Sequence, residues 1–123
     1  MDRQLGVISI AVAAGVEVVT GLVLIIRPSL FARLLFGAEL SAAGQALGRL
    51  AGFALLALAL ACWPTGGVGS RSAVRALLAF SLFSAVYLVY VGVGRELVGI
   101  LLWPAAALHA ALTIILARVW LND

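Results

Sequence analysis

The chain has 123 residues, of which 65% are hydrophobic and 11% charged, with a mean hydropathy of +1.23. The formal charge of +3 comes from eight arginines scattered along the chain. They form no basic stripe of the kind that neutralises phosphates, so nucleic-acid binding is excluded, and no stretch is polar enough to make a second, water-soluble domain.

Apolar runs over residues 5–26, 47–63, 76–94 and 97–117 account for most of the sequence. At about 1.5 Å of rise per residue, runs of roughly 17–25 residues match a hydrocarbon core about 30 Å thick. The pattern predicts an all-α, polytopic membrane protein, a single domain of four transmembrane helices spanning about 5–26, 45–63, 75–94 and 97–118. They are expected to form an antiparallel bundle.

In the first run, Met1 to Arg3 is polar and Ala11-Val12-Ala13 imitates a small-residue cleavage site. The run continues well beyond it, so the segment is expected to be a span and not a removed leader. Ser9, Ala13, Glu17 and Gly21 recur every four residues and give this span a small, polar stripe suited to a helix interface.

The connection over residues 27–46 opens with Pro28 and carries Gly37, the Pro-start and Gly-stop asymmetry of a short helix. Leu30, Phe31, Leu34 and Leu35 lie at helical spacing with Arg27 and Arg33 beside them, as in an interfacial amphipathic helix. Ser41 is the expected N-cap of the second span. That span carries Gly44, Gly48 and Gly52, a repeated small-xxx-small pattern for close helix packing, within the bundle or between copies.

The connection over residues 64–72 is Gly-rich and reads as a loop, whereas residues 92–96 read as a tight turn between the last two spans. Pro104, inside the last run, is expected to bend that helix. Four crossings put both termini and the 64–72 loop on one side, with Trp63 and Trp120 as interfacial anchors there. Arg3, Arg71, Arg75 and Arg118 on that side nearly balance Arg27, Arg33, Arg95 and the deeper Arg49 on the other. With Arg49 too deep to count, the slight excess makes the terminal side the cytoplasmic one, with an inverted or dual orientation left open.

Ionisable groups within spans cost at least about 2.5–3.5 kcal/mol on insertion scales, so they mark either an internal pair or a working site. Counted by helix rise, Glu17, Arg49 and Tyr87 fall in one layer near mid-membrane, roughly 18–21 Å from the terminal side. A buried pair with a tyrosine hydroxyl closing the carboxylate explains that layer structurally; a carboxylate that exchanges protons or binds a cation explains it functionally. A shallower layer contains Ser84, His109 and Thr113. His109, the only histidine, reads as a hydrogen-bonded neutral ring, with proton relay, quinone contact or haem ligation shared with another subunit as alternatives.

No metal set, cofactor motif or catalytic constellation is present, and Cys62 stands alone. Glu39, Glu96 and Asp123 read as solvated end charges. The expectation is a non-enzymatic membrane protein whose partners are lipids and either further copies of itself or other membrane subunits. A small proton-coupled transporter or channel using Glu17 is the alternative.

The run GLVLIIRPSL from Gly21, the segment GRLAGFA from Gly48 and the segment LWPAAALHA from Leu102 resemble small bacterial four-helix membrane proteins of the broad DoxX-like type. That resemblance implies the same four-helix fold and a bacterial cytoplasmic membrane. Length, span number and Glu17 are also similar to small multidrug-resistance transporters, although Arg49 would repel a cationic drug.

Overall fold

The computed structural model describes residues 3–65 and 69–122, and all its helices are α-helices. Met1, Asp2, the centre of the Gly-rich connection and Asp123 lie outside the described residues. In chain order the helices are α1 (Arg3–Ile26), α2 (Pro28–Phe36), α3 (Ala42–Cys62), α4 (Arg71–Gly94) and α5 (Leu102–Asn122). All but α2 are long and apolar enough to cross a membrane, and the protein is a multi-pass helical bundle.

Local chemistry sets most of the boundaries. Pro28 occupies the first turn of α2, where its missing N–H costs nothing, and Gly37 ends that helix in the left-handed region at φ 63°. The Ser41 hydroxyl accepts the Gly44 N–H at 3.0 Å and caps α3. Ser70 does the same for α4, accepting from the Ala73 N–H at 3.0 Å. At the other end of α4, Arg95 takes a left-handed conformation at φ 64°, a place that ordinarily favours glycine.

Two antiparallel pairs, α1 with α3 and α4 with α5, carry most of the packing, and looser contacts join the pairs. One end of the bundle gathers the start of α1, the end of α5 and the start of α4. A Cβ on Gly6 would touch Val119 there, and Ile10 lies hard against Gly69. The buried core at this end joins Ile10, Ala13, Cys62, Val74, Leu77, Leu112 and Leu116. Burying each large aliphatic side chain in such a cluster gains packing that membrane helices depend on, since lipid tails are as apolar as leucine.

The opposite end differs from expectation. The last helix begins at Leu102, not near residue 97, and residues 95–101 form a strap laid across the end of α2. Gly99 donates its N–H to the Leu35 carbonyl at 2.9 Å, and Leu101 donates to the Leu34 carbonyl at 2.8 Å. Gly99 sits so close to the Leu34 carbonyl that a side chain has no space there. These bonds satisfy carbonyls that the end of a helix leaves open. The later start also puts Pro104 in the first turn of α5, where proline is tolerated, so the kink expected there has no cause. Continuous hydrophobicity across residues 97–101 concealed the boundary.

Candidate functional site

The polar groups within the spans are the natural candidates, and the structure separates those that the sequence placed together. Glu17 lies on the inward face of α1 with Ile10, Ala13, Ala14, Gly21 and Leu24, and only 1% of it is exposed. Among the described residues it takes part in no ion pair, and no hydrogen bond to it is formed. Ser9, the outermost member of the expected stripe, turns its hydroxyl back to the Leu5 carbonyl at 2.7 Å.

Arg49 is exposed and goes elsewhere. Its Nε donates to the Ile25 carbonyl at 3.2 Å, in the last turn of α1. Because α2 starts at Pro28, the closing carbonyls of α1 have lost their helical donors, and a guanidinium at a helix C-terminus is favoured by both hydrogen bonding and the helix dipole. Ile25 and Glu17 are separated by about 12 Å of helix rise, so the acid and the base belong to different layers. Depth counted from helix ends missed this because an arginine side chain reaches along the helix toward the nearest open carbonyl.

Tyr87 leaves the layer as well. It is 60% exposed on the outer face of α4 and stacks on Tyr90 with ring centroids 6.3 Å apart. Two tyrosines facing outward near the end of a span, with Trp103 exposed at the start of α5, have the placement of an aromatic belt. At the other end Trp63 is exposed beyond α3, and the Arg71 guanidinium lies 4.1 Å from the centre of the Trp120 ring.

The glycines divide in the same way. A Cβ on Gly52 would stand 2.6 Å from the Gly21 carbonyl oxygen, and one on Gly21 would stand 2.9 Å from the Gly52 oxygen. A Cβ on Gly48 would stand 3.1 Å from the Pro28 Cβ and 3.8 Å from Leu24 of α1. Gly48 and Gly52 therefore close the seam between α1 and α3 inside the chain. Gly44 lies nearest Leu40 and Ser41 of its own segment, and its N–H serves the N-cap.

In the second layer, Thr113 donates to the His109 carbonyl at 2.7 Å, and Ser84 is half-buried without joining them. The aromatic ring that meets His109 is Phe80, one helical turn from Ser84, edge-on with centroids 6.0 Å apart. His109 Nδ1 is buried and has no hydrogen-bond partner among the described residues. Such an atom forfeits roughly 1–3 kcal/mol of hydration. Ser81, buried at 1% exposure, is a polar core residue that spacing alone did not single out.

His109 also lines a cleft of about 350 Å³. Val16, Val19, Thr20 and Val23 of α1 form one wall, and Pro104, Ala105, Leu108 and His109 of α5 the other. Phe31, Leu34 and Leu35 of α2 roof it. Glu17 is not among the lining residues. No group of three or more metal-ligating side chains occurs among the described residues. Compared with known proteins, the chain matches no family model, no curated protein and no solved structure.

Proposed function

We propose that the protein is a non-catalytic component of a bacterial cytoplasmic membrane that acts by lateral association, with copies of itself or as an accessory subunit of a larger membrane complex. The carrying observation is the outer face of α3. Ala43, Leu47, Leu50, Ala54, Ala57 and Ala61 recur at alternating four- and three-residue steps, and all are exposed. The same helix also exposes Phe53 and Leu60, and α5 exposes Ala107, Ala110 and Ala111, whereas the outer faces of α1 and α4 carry bulkier side chains such as Ile8, Val12, Leu22, Phe83 and Val86. Helices associate in lipid where small side chains let backbones approach, because no hydrophobic gain is available there. The DoxX-like resemblance of the sequence supports the bacterial membrane setting.

Native mass spectrometry of protein extracted in mild detergent tests the proposal. The expected result is a homo-oligomer or a stoichiometric complex with another subunit, converted to free monomer by Ala57→Phe. Wild-type protein that is monomeric at every protein-to-lipid ratio and brings no partner overturns it.

A further inference from the structure

The cleft between the two helix pairs has a chemistry of its own that lateral association leaves unused. Its walls are aliphatic apart from Thr20 on α1 and His109 on α5. Antiparallel counting from the Gly6–Val119 contact sets Thr20 opposite Ala105 and His109 opposite Val16, so the two polar groups line facing walls of one cavity at depths about 6 Å apart. Val19 and Leu108 on the rim are exposed, so the cleft opens on the outer surface of the spans, where lipid-soluble molecules reach it.

The polar inventory sets the ligand class. Thr20 donates its hydroxyl proton to the Val16 carbonyl at 2.8 Å, which leaves its oxygen free only to accept. The His109 ring packs T-shaped against Phe80, and its Nδ1 is buried with no hydrogen-bond partner among the described residues, so the other ring nitrogen, Nε2, is the one left to meet a ligand. A neutral imidazole offers one donor and one acceptor nitrogen, so it can take a hydroxyl or a carbonyl without a charge entering the membrane. At about 30 Å³ for each water-sized group, the cavity holds on the order of a dozen heavy atoms. Pockets of this size that are mostly apolar, with few convergent polar groups, are the usual form of small-molecule sites.

We propose that the cleft between α1, α2 and α5 is a binding site for a lipophilic molecule whose single hydroxyl or carbonyl group hydrogen-bonds to the His109 ring. The apolar body of the ligand fills the space between the valines of α1 and Pro104, Ala105 and Leu108 of α5. Phe31, Leu34 and Leu35 cover its end. The strap over residues 95–101, bonded to α2, holds that cover in place.

Because the chain has one histidine, the imidazole resonance of ¹⁵N-labelled protein reports on this site without assignment ambiguity. The protein is reconstituted in phosphatidylcholine nanodiscs and titrated with 1-dodecanol, then in parallel with dodecane. The expected result is a saturable ring-nitrogen shift with the alcohol and none with the alkane. Ala105→Phe, which plugs the cavity, should abolish the shift.

Native mass spectrometry of protein taken directly from cell membranes separates the sources. A retained adduct lost from Ala105→Phe identifies a membrane lipid as the natural ligand, and its absence beside a positive titration identifies a free lipophilic alcohol or ketone. A ring resonance that responds to neither probe, or equally to both, overturns the site. The wild-type comparison of alcohol with alkane decides the matter even if a variant fails to fold.

Discussion

Helix α1 meets two of its long neighbours, α3 and α5, in opposite ways. Toward α3 it presents Gly21, and Gly52 answers from the other side, so that backbone lies on backbone and neither position has space for a Cβ. Toward α5 it presents Val16, Val19 and Val23, which face Pro104 and Leu108 across a cavity. A tight seam and an open cleft thus lie on two sides of one helix. Side-chain volume at the crossing, not hydrophobicity, decides where this bundle closes. Both sides are largely apolar, and in lipid close packing is what distinguishes them.

The largest effect should come from the seam. Gly52→Ala is expected to lose roughly 1–3 kcal/mol, because its Cβ meets a backbone carbonyl and Ile25 with nowhere to move. Unfolding in a denaturing-detergent titration measures it. Gly15, where a Cβ has open space, is the control, and Gly15→Ala should gain up to about 1 kcal/mol from helix propensity. Equal responses at the two glycines would mean that the seam is no tighter than the rest of α1.

The end of the seam carries the next effect. Arg49→Leu removes the donor to the Ile25 carbonyl and should cost about 1 kcal/mol, as expected for a cation at a helix C-terminus. In a double-mutant cycle with Glu17→Gln the two changes should add to within about 0.5 kcal/mol, since the groups lie in separate layers. Strong coupling between them would restore the buried pair that depth counting suggests.

On the cleft side the expected effects are smaller. Arg95→Gly relieves the left-handed conformation at the start of the strap and should stabilise by about 0.5–1 kcal/mol in the same titration. Ala105→Phe puts an aromatic ring into the cavity, and its stability should stay within about 0.5 kcal/mol of wild type. A loss as large as that of Gly52→Ala would mean that the cleft is as closely packed as the seam.

Several helix boundaries are legible in the amino-acid sequence. Pro28, Gly37 and Ser41 mark them because their effects are local: a missing donor, a permitted positive φ, a short hydroxyl that accepts a nearby N–H. The candidate polar layers are not legible in the same way. Glu17, Arg49 and Tyr87 share a calculated depth, but depth says nothing of azimuth, and the three face the interior, the end of α1 and the outer surface respectively. His109 stands out in the sequence as the one histidine. Its cleft does not, because the lining comes from separate helices with no common spacing.

Hydrophobic run length alone dictates that this chain makes four helices of membrane-crossing length, since that demand acts on each segment independently. Which neighbours touch, which glycines are used, where Arg49 finds its acceptor and where space remains are settled in three dimensions. Those outcomes depend on the relative rotation of helices, and an apolar sequence that satisfies lipid all round carries little information about rotation.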